Sequence, residues 1–489
     1  MPGSTKRGSL SLEFSVRNAN VSTARSPQNQ FRILVLGDFR GQSGLLAQPG
    51  TNTDSIRVDY DNFDSALAHL EPMSDLGTDQ GRSLTIRFQS LDDFHPDKLL
   101  EDFEPLSRLM ELRKQLLDPL TASVAGPKIR ELLQLCSASS EEPETTSPES
   151  AEETLSRLLG KSVSAPSYRG SAGARVDHLI EQILGTPSDA IPSDDQNALR
   201  AALEEELSRL LRHALHHPAF QALEATWRGL DFLVRNAGED TILRVADISK
   251  SALAALLTEA GPGVPPIAGL LAAFRPALVL GIYTFAPEDH LMLSALARIC
   301  ATYKTAFVAG AGPELAGWTS FHSRTGRLSG ASLPESDEFA SLRSEPEANH
   351  LGLILPRFLL RQAYGARSDP IETFSFEEID ATPEHESHLW GNSAFLCGYL
   401  MSQSFGEFGW DFDESQGGEI SGLPIQQVVI DGEIDLKPCA EVWLSETAEE
   451  AIRSRGIIPV LSIRGRDSVR VTSLHSISNP PRSLALSRS

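Results

Sequence analysis

Apolar residues recur three and four apart through HHPAFQALEATWRGLDFLVRNA, residues 216–237, where Phe220, Leu223, Trp227, Leu230 and Leu233 line one stripe of a helix. Pro218 suits its first turn, because the N–H that proline lacks would have no intrahelical partner there. Trp227, Arg228 and Gly229 set a large flat ring, a permanent cation and a residue without a side chain next to one another. They read as part of a core helix whose arginine pairs with a carboxylate. A different period marks the N-terminus: in SLSLEFSVR, Leu10, Leu12, Phe14 and Val16 alternate with polar residues, as in a strand with one buried face. That strand lies far from the first compact segment and needs a partner, which another chain can supply.

Between these two patterns, FRILVLGDFRG reads as a short apolar strand ending in a Gly-Asp turn. SIRVDYDNFDSALAHL reads as a strand and then a helix, capped by Asp61 or Asn62, with Phe63, Ala66, Leu67 and Leu70 on one face. A strand at 84–89 then leads into a long helical region, in which Asp92, Asp93 and Asp97 precede Arg108, Arg113 and Lys114, the order a helix dipole favours. Residues 31–136 form a small α/β unit on this reading. Residues 137–153 hold six glutamates, no basic residue and no aromatic, too little apolar surface to order themselves. A flexible acidic linker is therefore expected over 137–174.

Beyond it, LRAALEEELSRLLRHALHH is helical. TILRVADI, ALVLGIYTF and TAFVAGAG then alternate as strands with the helices SALAALLTEA and EDHLMLSALARICATY, the pattern of an α/β layer. Residues 313–349, rich in Ser, Gly and Glu, read as a surface excursion. An apolar run with an internal proline follows, then a small-residue-rich helix ending in Gly-Trp and a Gly-rich turn, SQGGEISGLP. Strands around QQVVID and AEVWLS, a short helix TAEEAIRSRG, and the strands IIPVLSIRG and SVRVTSLHS complete the chain.

The 489 residues leave room for two or three domains, and the apolar share of 40% and charged share of 22% are those of a globular protein. No run of about eighteen apolar residues predicts a membrane span, and MPGSTKRGSLSLEFSV lacks the apolar core of a signal peptide. The chain is expected to stay in the cytoplasm, with Cys136, Cys300, Cys397 and Cys439 as buried free thiols. A net charge of -23 opposes nonspecific binding to nucleic acid or anionic lipid. The two ends are basic and the middle acidic, which suits a head-to-tail polymer and equally suits two solvated tails.

Candidate chemistry adds little to this. AGAGPELAG lacks the third glycine of a dinucleotide loop, because position 315 is leucine. Asp59, Asp61 and Asp64 open like a calcium loop, yet Leu70 stands where the closing glutamate belongs. His213, His216 and His217 would need a further ligand to hold a metal and read as a polar helix end. No catalytic residue, cofactor or metal is expected.

HPAFQALEATWRGLDFLVRN closely resembles the signature helix of the large subunit of the type VI secretion contractile sheath. The resemblance continues, in the family's order, through ALVLGIYTF, LILPRFLLRQAYG, the FSFEE stretch at 374–378, HLWGNSAFLCGYLMSQSFGEFGWD and IIPVLSIRGRDSVRVTSLHSI. Upstream, FRILVLGDFRG, VDYDNFDSALAHLEP and LTIRFQSLDDFHPDKLLEDFEPLSRLMELRKQLLDPL resemble the small sheath subunit. The chain thus divides into an N-terminal arm (1–30), a small-subunit-like α/β domain (31–136), the linker (137–174) and a large-subunit-like α/β domain with C-terminal strands and tail (175–489). Two features depart from the family. Its two polypeptides are fused here, and WDFDESQGGEISGLP lacks the arginine-glycine step usual before the Gly-rich turn.

The resemblance implies a mixed α/β contractile-sheath protomer whose terminal strands are exchanged between neighbouring subunits. Leu10, Leu12, Phe14 and Val16 would form the donated strand, and Val469, Val471 and Leu474 would belong to the C-terminal strands that receive or donate one. Glu446, Glu449 and Glu450 mark a candidate face toward an inner tube of haemolysin-coregulated-protein type; an ordinary solvated helix is the plain alternative. Trp227, Arg228 and Gly229 would brace the large half. Further implied partners are copies of the chain itself, baseplate proteins and an AAA+ unfoldase for recycling. A non-polymerising baseplate or terminator component, or a motif-poor enzyme built around a concave pocket, are the competing readings.

Overall fold

Strands made almost wholly of Val, Leu, Ile, Phe and Ala have no polar face to turn to water, so they belong inside a sheet covered on both sides. Nine strands follow that logic to different degrees: β1 (Phe31–Gly37), β2 (Ile56–Val58), β3 (Thr241–Asp247), β4 (Leu278–Phe285), β5 (Ala306–Ala311), β6 (Leu351–Leu355), β7 (Gln416–Ile420), β8 (Ile457–Ser462) and β9 (Val469–Ser473). The structure is a computed structural model that describes residues 30–41, 54–79, 82–139, 193–258, 266–321, 327–328, 330–331, 333–379, 385–430 and 433–486. The strands form one sheet in the order β7-β9-β8-β6-β5-β4-β1-β3-β2. The six from β3 to β8 run parallel. The added strands, β2 at one end and β9 and β7 at the other, are antiparallel.

The position of β1 decides the architecture. It pairs in register with β3 from Phe31 opposite Thr241 to Gly37 opposite Asp247, and with β4 from Ile33 opposite Leu278 to Leu36 opposite Gly281. The strand expected of the first α/β unit is therefore hydrogen-bonded on both sides to strands that follow it by some two hundred residues. Its side chains feed both cores: Phe31, Ile33 and Val35 enter one, Leu34 and Leu36 the other.

Helices cover both faces. On the first lie α1 (Phe63–Leu70), α2 (Pro96–Asp102), α3 (Glu104–Leu117), α4 (Ala122–Ser139), α5 (Ser193–Leu215) and α6 (Pro218–Asn236). On the second lie α7 (Lys250–Thr258), α8 (Pro266–Phe274) and α9 (His290–Tyr303). The later helices divide: α10 (Ala394–Phe408) joins the first core and α11 (Glu446–Ser454) the second. The four residues expected on the buried face of α1, Phe63, Ala66, Leu67 and Leu70, are the ones buried. Asn62 occupies its N-cap position, but its side chain turns back to the preceding loop. Its amide oxygen accepts from the Asp59 N–H (2.8 Å), and its amide nitrogen donates to the Arg57 carbonyl (3.0 Å).

Several expectations need correction. The long helical region after residue 90 is broken, with Pro96 and Pro105 each sitting in the first turn of a separate helix. The described residues of 313–349 are no surface excursion: Leu315, Trp318, Phe339 and Leu342 are buried in the second core, too far apart among Ser, Gly and Glu to show a period. The Gly-rich stretch at 416–420 is not a turn but edge strand β7, antiparallel to β9. Its glycines answer to a close approach, since a Cβ on Gly417 would lie 2.0 Å from the Val471 carbonyl oxygen. Residues 137–139 of the expected linker end α4. The rest of it, with Leu10, Leu12, Phe14 and Val16, lies outside the described residues.

Because the Val471 carbonyl belongs to a strand paired on both sides, it has little room to retreat. Gly417→Ala is expected to lower stability by about 1–3 kcal/mol, the usual cost of overpacking. Urea denaturation followed by circular dichroism measures it, and an unchanged midpoint would show that β7 moves freely.

Candidate functional site

Successive helical residues point about 100° apart, so three in a row can meet three different neighbours. Trp227, Arg228 and Gly229 do this in α6. Trp227 is wholly buried, donates from Nε1 to the Phe39 carbonyl (2.9 Å), and meets the Phe39 and Phe63 rings edge-on at 5.3 and 5.8 Å. It thereby clasps the turn after β1 and the start of α1. Gly229 lets α10 lie against the helix, because a Cβ there would fall 2.2 Å from the ring edge of Phe395.

Arg228 pairs with a carboxylate, as the sequence predicts. Its Nε donates to Glu224 Oε1 (2.7 Å), one turn earlier, and Nη2 donates to the Tyr364 hydroxyl (3.2 Å). Glu224 is fully buried and shared with a second cation. Arg361 donates from Nε to Glu224 Oε1 (2.8 Å), from Nη1 to Glu378 Oε2 (2.7 Å) and from Nη2 to Glu378 Oε1 (3.0 Å). The Arg361 guanidinium also lies 4.3 Å from the Tyr364 ring centre, and the Tyr364 N–H donates to Glu378 Oε2 (2.8 Å). Two carboxylates and two guanidiniums thus close a neutral network in the core. Burial alone would raise the Glu378 carboxyl, but Arg361, with help from the His216 side and the Tyr364 N–H, holds it down at about 2.

The network reaches the first segment through α2. The His95 ring meets Tyr364 edge-on at 5.0 Å, and the Asp97 carboxylate accepts from the Glu372 N–H (3.0 Å) and the Thr373 hydroxyl (3.2 Å). Sequence reasoning missed Glu224, Tyr364, Arg361 and Glu378 as a set. Their signal was present: charged residues inside otherwise apolar blocks, LLRQAYG and FSFEE, that the resemblance had already picked out.

A second polar cluster sits nearer the surface. Ligand atoms of His385, Glu386 and Glu441 lie within 4.8 Å of one another, a spacing a metal could use. Arg357 already holds that place, donating to Glu441 Oε1 (2.6 Å) and Oε2 (3.0 Å) and to Glu386 Oε1 (3.1 Å). The donor set fits a guanidinium, and the cluster reads as an ion-pair brace.

The remaining candidates separate. Val469, Val471 and Leu474 are buried, and β9 is paired on both sides, so among the described residues the open edge beside it belongs to β7. Glu446 and Glu450 on α11 are exposed, whereas Glu449 pairs with Arg453, which also donates to the Thr472 hydroxyl (2.7 Å). Among the described residues, no helix is long and apolar enough to cross a membrane.

Residues 197–262 and 275–478, more than half of the chain, match the VipB family model, described as an EvpB tail sheath N-terminal domain. Residues 12–148 match the VipA family of the type VI secretion system. The chain belongs to the type VI secretion sheath family. It carries both subunit domains in one polypeptide. It is 30% identical over 326 residues to type VI secretion system sheath protein TssC1 of Pseudomonas aeruginosa, a match over 62% of this chain and 65% of the relative. It is 31% identical over 100 residues to sheath protein TssB1 of the same bacterium, over 19% of this chain and 58% of that relative. The chain thus spans less than two thirds of the length of either relative. The ion network joins the two matched regions of this sheath protein, since His95 and Asp97 fall in the first and Glu224, Arg361 and Glu378 in the second.

Arg361→Met would leave two buried carboxylates short of a cation and is expected to cost about 3–5 kcal/mol, read from chemical denaturation. Replacing Glu378 as well, in Arg361→Met with Glu378→Gln, should recover part of that loss; no recovery would show that Arg361 acts only by its volume. Because the folded pKa of Glu378 is depressed, its stabilisation is complete above the ordinary glutamate range near 4.5 and is lost as pH falls toward 2. The acid limb of a stability profile should therefore be shallower in Glu378→Gln than in the parent.

Proposed function

We propose that this chain is the structural protomer of a contractile helical sheath that surrounds and propels an inner tube in a type VI secretion-like injection machine. The observation that carries the reading is β1, from the VipA-matching region, seated between β3 and β4 of the VipB-matching region. One polypeptide builds a complete two-part protomer, and its work is mechanical rather than catalytic.

Copies join by strand addition. An edge strand offers a row of unpaired backbone groups to an incoming strand, and β7 is such an edge, anchored by Val469 and Val471 of β9 behind it. The alternating run with Leu10, Leu12, Phe14 and Val16 is the donated strand, and Leu474 helps hold the receiving end, its N–H donating to the Ser415 carbonyl (3.0 Å). The exposed Glu446 and Glu450 face the inner tube, a haemolysin-coregulated-protein-type assembly. Baseplate proteins seat the sheath, an AAA+ unfoldase recycles it, and the whole works in the cytoplasm.

Negative-stain electron microscopy of the purified chain should show hollow helical tubes; monomers persisting across salt conditions would sink the proposal. Removal of residues 1–24 should leave a folded protomer that forms no tubes, and intact tubes would refute the donated strand. Glu446→Lys with Glu450→Lys should preserve tubes yet weaken co-sedimentation with the inner-tube protein. Unchanged co-sedimentation would take α11 out of that interface.

A further inference from the structure

A lysine ammonium is normally left in water or set against a carboxylate, because burial disfavours its charge. Lys437 is half-buried, and its Nζ lies 5.3 Å from the ring centre of Trp390 and donates to His388 Nδ1 (3.3 Å). The carboxylates that act on it, Glu441 and Glu386, are committed to Arg357, which donates to them at 2.6 and 3.1 Å; His385 Nε2 also lies 2.9 Å from Glu441 Oε1. Burial therefore outweighs their pull and pushes the Lys437 amine down to about 8. The backbone fixes this setting. The Lys437 N–H donates to the Gln426 carbonyl (2.8 Å), and Trp390 Nε1 donates to the His385 carbonyl (3.0 Å). The buried His388 ring lies nearly parallel to the indole, 5.7 Å from it. An amine that is neutral at mild pH, beside an imidazole nitrogen oriented by stacking, is the arrangement of an activated nucleophile.

We propose that Lys437 is a nucleophilic modification site that takes an acyl group from a small acyl phosphate, with His388 accepting the proton. The neutral Nζ attacks the acyl carbonyl carbon and an N–C bond forms. The C–O bond to phosphate breaks, and its electron pair leaves with the phosphate. The Nζ proton passes to His388 Nδ1 and from there to water. Because the amine is half-buried, the donor must be small. The product is an amide, so acylation removes the cation that faces Trp390. The inference stands apart from the sheath reading, because it concerns one chain and needs no polymer.

Treatment of the full chain with acetyl phosphate tests it, with Lys98 as an internal standard. Lys98 is more open to water, its side chain 49% exposed, but its hydrogen bond to Glu101 (2.8 Å) holds its pKa above the ordinary lysine value. At pH 8, peptide mapping by mass spectrometry should show Lys437 acetylated at least about tenfold faster than Lys98. The Lys437 rate should level off above a midpoint near pH 8, whereas the Lys98 rate should keep rising to about pH 10. His388→Gln should slow Lys437 by about threefold or more at pH 8 and leave Lys98 unchanged. Equal rates at the two lysines of the parent chain, or a Lys437 rate still climbing at pH 10, would overturn the proposal whether or not the variant folds. An unchanged Lys437 rate in His388→Gln with a native circular dichroism spectrum would overturn the part given to His388. Tube formation enters none of these readouts, so failure here and failure of the sheath proposal are distinguishable.

Discussion

A strand in the middle of a sheet must find partners for the N–H and C=O groups along both of its edges, and β1 finds them only in strands far along the chain. The segment that supplies β1 has other strands, but β2 pairs with β3, and the hairpin of Met73–Asp79 with Arg82–Arg87 forms a separate two-stranded sheet. Neither can satisfy β1. The first region therefore completes its backbone hydrogen bonding within the second, and the second cannot close its sheet without the first. Pairings over such sequence separations form late, after the large loops between them have closed. Trp227 then fastens the inserted strand, because its indole N–H caps the Phe39 carbonyl just beyond the strand end.

The ion network applies the same constraint to side chains. Burying a charge is unfavourable unless its partners are complete, so Glu224, Arg361 and Glu378 are tolerable in the core only in one relative arrangement. That arrangement fixes α6 against residues 361–378. Asp97 then holds the same loop by its backbone, and through it α2. Apolar contacts alone would permit small slides between these elements. A fully paired network does not.

Much of this was legible in the sequence because periodicity reports burial directly. The stripe on α6, the face of α1 and the continuous apolar strands β1, β4 and β5 each followed from spacing. Elements whose burial is not periodic were lost: Trp318 and Phe339 pack from a stretch dominated by Ser, Gly and Glu, and β7 hid behind glycines that serve a close backbone approach. Arg228 announced a carboxylate partner, and Glu224 stood one turn earlier on the same helix, at the spacing where pattern could have named it. Arg361 and Glu378 became partners through tertiary geometry, 137 and 154 positions beyond Glu224.

Covalent fusion changes the physics of that geometry more than its shape. Two separate relatives match the two regions, whereas here a single chain holds both. Insertion of β1 becomes a unimolecular step, independent of concentration, and each half is present in equal number by construction. The connection between α4 and α5 need not be short for this to hold, since closing a loop costs only about 0.6 kcal/mol more for each doubling of its length. Its acidic composition is then no liability, because the connection has only to span two helices that already pack against each other. Joining by itself constrains only where the connection leaves α4 and enters α5, at Ser139 and Ser193, and sets no requirement on the sequence between them.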